Sequence, residues 1–129
     1  MAHANGARCV EHAAAAGVDS VEHGAYLDDA ALHAMAENRV IWVPTLSTVG
    51  NLRGRGRFNE DAVRDILAGA MRNVASYADL GGVIAPGSDA GAWAVPHGSL
   101  TEYALLTEAL GERAESVLNR GIREVRARF

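Results

Sequence analysis

Two histidines and an aspartate carry the chemistry available to this chain. His3 stands in Ala2-His3-Ala4-Asn5-Gly6, His23 in Val21-Glu22-His23-Gly24 and Asp89 in Gly87-Ser88-Asp89-Ala90-Gly91. The short apolar run Val83-Ile84-Ala85 leads into Asp89 through Pro86. An acid at the end of a buried strand, set between glycines, is presented to a pocket. The strand fixes its direction and the glycines admit backbone or ligand at close range. Imidazole and carboxylate are the usual ligands of zinc, and a catalytic zinc keeps a position open for water. Such an ion lowers the pKa of its water from ~16 towards ~7. A carboxylate beside it shuttles the proton to a leaving amine. His3, His23 and Asp89 are therefore read as one metal site, working or inherited.

The elements that must position these residues follow from patterning. Met1 to Ala4 is the stub of a strand. A helix runs from Asn5 or Gly6 to about Ala16, with Ala7, Val10, Ala13 and Ala14 on one face and Gly17 as its stop. Val18 to His23 is a short strand. Glu22 alternates with His23 and is expected on the opposite, helix-facing side, as a partner for an arginine or the backbone. Asp28 reads as an N-cap flanked by Leu27 and Leu32, in a helix that ends near Asn38, a residue suited to a left-handed cap. Val40 to Val43 is a strand covered on both faces, closed by Pro44.

Residues 47 to 58 read as a loop broken by Gly50, Gly54 and Gly56. Asn59 caps the longest helix, to about Leu80. The strand of Val83 to Ala85 follows, then a loop through Pro96 and His97. Ser99 caps a helix to about Leu110, and a last amphipathic helix runs from about Arg113 to Arg128. The order is strand then helix, four times. It predicts an α/β fold with parallel strands and helices outside, a (βα)4 half of a TIM-type barrel, as a single partial domain over residues 1–129.

Composition narrows the function classes. The chain has 129 residues, 49% hydrophobic and 22% charged, with net charge −4. An acidic balance gives no reason to expect nucleic acid or an anionic membrane as partner. One cysteine, Cys9, excludes an internal disulfide and is read as a small helix residue. No apolar run approaches the ~20 residues of a membrane span, and no signal segment is visible, so the cytoplasm is the expected compartment. All twelve basic residues are arginine.

The stretches His3–Gly6, Ala15–Gly24, Val43-Pro44-Thr45-Leu46 and Gly87–Gly91 resemble strands five to eight of the amidohydrolase superfamily barrel, in order and spacing. The branch they resemble is that of imidazolonepropionase and Xaa-Pro dipeptidase-like enzymes. The resemblance implies a metal-dependent hydrolase of amide or related C–N bonds, with zinc or another divalent metal on His3, His23 and Asp89. It makes Asp89 the residue that takes a proton from the attacking water. Two family features are missing: there is no His-x-His pair, and no lysine that could be carboxylated to bridge metals.

Three readings follow. The chain is an inactive part of such an enzyme, or half of a split hydrolase acting on a small amide or peptide, or a binding or structural module that has kept the half-barrel and lost the chemistry. All three lead to an expected homo-oligomer or a complementary N-terminal half, because a half-barrel exposes two strand edges and an apolar inner face. Among the remaining candidates, His97 either touches substrate or is a surface histidine. His12 and His33 are expected on solvent-facing helix sides. Arg53, Arg55 and Arg57 either grip a substrate carboxylate or lie on a solvated loop. Trp42 and Trp93 are candidate pocket residues, with Trp42 read as core.

Overall fold

The computed structural model describes residues 1–91 and 94–129; the expectation for Trp93 lies outside them. The strands are β1 (Ala2–Ala4), β2 (Ser20–His23), β3 (Ile41–Val43) and β4 (Val83–Ile84), and the helices α1 (Ala7–Ala15), α2 (Asp29–Glu37), α3 (Ser47–Gly50), α4 (Glu60–Asp79), α5 (Thr101–Leu110) and α6 (Ala114–Arg128). A 3-10 turn, Gly111–Arg113, joins α5 to α6. The strands form one parallel sheet in the order β1-β2-β3-β4. Sequential parallel neighbours separated by helices are the expected (βα)4 arrangement.

The helix ends behave as their chemistry demands. The Asp28 side chain accepts the Ala31 N–H at 3.0 Å, and the Asn59 side chain accepts the Ala62 N–H at 3.0 Å. Each satisfies a donor left orphaned at a helix start. At the end of α2 the left-handed residue is Arg39 (φ 53°), not Asn38 (φ −88°). Asn38 instead donates its side-chain amide to Ala34 O. The stretch after Pro44 is not all loop, because Ser47–Gly50 forms a helical turn.

The main core lies between the sheet and α1, α2, α4, α5 and the first turns of α6. It is built on Val21, Trp42 and Ile84 from the strands and on Val10, Leu32, Met35, Leu67 and Leu106 from the helices. Tyr77 is fully buried there and donates its hydroxyl to Val40 O at 2.7 Å. Gly82 makes room for it, since a Cβ at that position would stand 2.4 Å from the ring.

The opposite face of the sheet was expected to be bare, and it is not. Ile41, Val83 and Ala85 are buried in a second cluster that Val125 of α6 packs against. The register explains the route of α6. Ala85 N donates to Trp42 O, so the Ile84 carbonyl points away from β3, towards the free edge of the sheet. Gly121 of α6 lies against that carbonyl so closely that a Cβ there would come within 1.9 Å of it. Arg128 then reaches Asp19 O, before β2. The last helix thus closes one edge and part of the inner face.

Candidate functional site

His3, His23 and Asp89 come out at one end of the sheet, where the parallel strands finish. All three line a cavity of about 270 Å³ that also takes in Asn5, Thr45 and Ile66. The two imidazoles meet directly. His23 Nε2 is 2.8 Å from His3 Nδ1, with the rings at 70° to one another. Two ring nitrogens at that separation share one proton, since two would collide and none would leave facing lone pairs. On its other side His23 Nδ1 is 2.8 Å from Thr45 Oγ1.

The way His23 reaches the site corrects the expected alternation. Ser20 and Glu22 share the face of Ile41 and Val43, their register partners, and the Ser20 hydroxyl donates to Glu22 at 2.8 Å. Glu22 therefore faces the site side, where it lines a smaller recess with His3, His23 and Asp89. Simple alternation would send His23 into the helix layer. A left-handed backbone (φ 72°) turns its side chain back over the strand end. Trp42 Nε1 donates to the His23 carbonyl at 2.9 Å, and Gly24 has to lack a side chain, since a Cβ would stand 2.7 Å from that nitrogen.

Thr45 (φ 48°) and Asp89 (φ 54°) share this conformation. A non-glycine residue held there costs about 1–3 kcal/mol and persists only where its surroundings over-determine it. Three such residues at strand ends mark this end of the sheet as a strained region. Gly87 has its own reason to be glycine, because a Cβ would lie 2.5 Å from the Val43 side chain.

The electrostatics suit a neutral imidazole at His23. Partial burial, and next the charge of His3, hold the His23 pKa below the ordinary imidazole value; Asp89 and Glu22 pull it the other way. A neutral imidazole is the form that binds a metal. The donor types, the protonation state and the Thr45 bond behind His23 all fit a divalent ion, for which an outer hydrogen bond orients the ligating ring. Zn–N bonds of about 2.0–2.1 Å near tetrahedral angles require the nitrogens about 3.4 Å apart, so the rings would separate slightly. Asp89 shares the cavity but does not close on the pair: among the described residues no three His, Cys, Asp or Glu side chains are grouped to hold an ion.

The other candidates lie elsewhere. His12, His33 and His97 are exposed, Cys9 is an exposed free thiol on α1, and Trp42 is core. Arg53 and Arg55 donate to Gly50 O and Asn51 O of their own loop, and Arg57 stacks over Phe58. Patterning missed Thr45, Ser47 and Glu102, which hold the site from behind. Ser47 donates its hydroxyl to Ser88 O at 2.8 Å, and its N–H goes to Glu102 at 2.6 Å. Thr45 falls inside the family-like Val43–Leu46 stretch, which was the one available signal.

A parallel sheet with helical cover and polar residues gathered at its strand ends belongs to the TIM-barrel type of fold found in hydrolases. Solved structures similar to it include a dipeptidase and an uncharacterized protein. A Xaa-Pro dipeptidase with bound methionine in its active site superposes with a TM-score of 0.75 at 25% identity, over 96% of this chain and 33% of the dipeptidase. An uncharacterized protein does so at 0.76 and 26%, over 98% and 33%. Uncharacterized proteins of Mycobacterium tuberculosis and Mycobacterium bovis are 31% identical over 132 residues, which is 91% of this chain and 35% of theirs. The chain thus spans about a third of the length of the relatives it matches. No family model matches it. Among the described residues no helix is long and apolar enough to cross a membrane.

Proposed function

We propose that this chain carries the C-terminal part of a metal-dependent amidohydrolase site, for a small amide or peptide substrate. The observation that supports it best is the His3–His23 contact on adjacent strand ends, in one cavity with Asp89. His3 Nδ1, His23 Nε2 and the Asp89 carboxylate would hold zinc or a similar ion. When bound, that ion supplies a water acidic enough to attack near neutral pH. Asp89 is the base: its carboxylate takes the proton from the attacking water and returns it to the leaving nitrogen. Thr45 keeps the His23 ring in register through Nδ1. The walls around Ile66 and Thr45 orient the substrate and exclude bulk water.

This part supplies three donors and one side of the cavity, so turnover needs the remaining wall, from the rest of a longer polypeptide or from a second chain. With the β4 edge closed by α6, that wall adds at β1, whose His3 is exposed. Light scattering at micromolar concentration is expected to show an oligomer, and a compact, cooperatively unfolding monomer would count against this. A second reading, a module that binds without chemistry, is favoured because no three His, Cys, Asp or Glu side chains among the described residues are grouped to hold an ion.

Zinc titration by calorimetry tests the metal site. His23→Ala is expected to abolish binding, and Asp89→Ala to weaken it less, because Asp89 must move to join the pair. Equal affinity in the parent and both variants would show that the residues no longer form a site. Assays with added zinc or manganese on dipeptides and acyl amino acids are expected to show no turnover by the isolated chain. Hydrolysis that disappears in Asp89→Asn would overturn that expectation.

A further inference from the structure

Glu102 is the buried carboxylate that the chemistry above does not use. It projects from the first turn of α5, is 3% exposed, and is in no ion pair among the described residues. Its Oε2 accepts the Ser47 N–H at 2.6 Å, while Oε1 is buried with no partner among the described residues. Burying a carboxylate with one oxygen left without a partner is costly, and capping a four-residue helical turn is a small return for it. The wider geometry gives the bond a larger role. Ser47 is completely buried, and its hydroxyl holds the carbonyl of Ser88, the residue before Asp89. Two residues earlier, Thr45 holds His23. The 45–47 turn therefore touches both sides of the cavity, the imidazole side through Thr45 and the Asp89 side through Ser47.

We propose that Glu102 is a positioning residue that, by clamping Ser47, sets the Asp89 turn relative to the His3–His23 pair. It acts as a hydrogen-bond acceptor and touches neither substrate nor ligand. Its path runs from Glu102 Oε2 to the Ser47 N–H, then from the Ser47 hydroxyl to the Ser88 carbonyl. The inference rests on reading His3, His23 and Asp89 as one site, but the clamp is measurable without a metal.

The test is amide hydrogen exchange on the metal-free parent, Glu102→Gln, Glu102→Ala and Ser47→Ala, followed by zinc titration of the same proteins. Glu102→Ala removes the acceptor, so exchange at 45–48 and 87–91 should quicken by about tenfold or more while buried amides of α2 keep the parent rate. Ser47→Ala keeps the N–H and loses the hydroxyl, so only 87–91 should quicken. Glu102→Gln retains an acceptor oxygen and should exchange no faster than the parent. Zinc affinity should fall about tenfold in both alanine variants and stay unchanged in the glutamine variant, the scale expected of an outer-layer partner. Parent-like exchange at 87–91 in both alanine variants overturns the proposal, and so does a glutamine variant that behaves as Glu102→Ala. A parent that binds no zinc overturns the metal reading instead, and the exchange comparison still decides the clamp. If Glu102→Ala does not fold, Ser47→Ala and Glu102→Gln carry the decision.

Discussion

Trp42 holds His23 from beneath: the indole N–H, on a side chain with no exposed surface, donates to the His23 carbonyl at 2.9 Å. The core and the site are joined at that bond. Trp42→Phe keeps most of the apolar packing and strands the carbonyl. Urea unfolding should show a loss of about 2 kcal/mol, the scale for an abandoned buried acceptor. Stability equal to the parent would mean that the carbonyl finds water or another donor at no cost.

Glu102 gives the fold a pH signature of its own. Burial raises its pKa above the ordinary carboxylate value, against the donors of Ser47 and Leu46 that favour the charged form. A folded pKa above the unfolded one means that the folded state prefers the proton. That stabilisation is complete below the unfolded value of about 4.3 and is lost as pH rises through the folded value. Glu102→Gln does not ionise, so its stability relative to the parent should grow between about pH 4 and neutrality. A difference that stays flat with pH would show that the carboxylate is solvated.

Gly121 is the tightest point of the α6 packing, since a Cβ there would meet the Ile84 backbone, which cannot turn aside. Gly121→Ala should cost about 3 kcal/mol, the upper part of the usual range for overpacking, although alanine is the better helix former. Thermal unfolding checks this. A variant as stable as the parent would mean that α6 slides along β4 without penalty.

The layout of elements was legible because it is local. The Asp28 and Asn59 caps, the glycine stops and the buried runs of β3 and β4 are each written in a few consecutive residues. Placing His3, His23 and Asp89 at strand ends followed from the same patterning. The failures were positional. Glu22 was assigned to the helix side because alternation assumes extended backbone, and His23 is left-handed. The helical turn at Ser47–Gly50 is too short to show a period. Ser47 and Glu102 lie 55 residues apart, so no local pattern links them. The path of α6 across the sheet edge depends on a backbone approach at Gly121, where the sequence shows only a small residue on an amphipathic helix.

That path decides how copies of this chain can associate. Two (βα)4 units complete a ring when β1 of each lies parallel to β4 of the other, a head-to-tail arrangement that uses both edges. In this structure the Ile84 carbonyl at the β4 edge already faces Gly121, so the ring cannot close until α6 swings away.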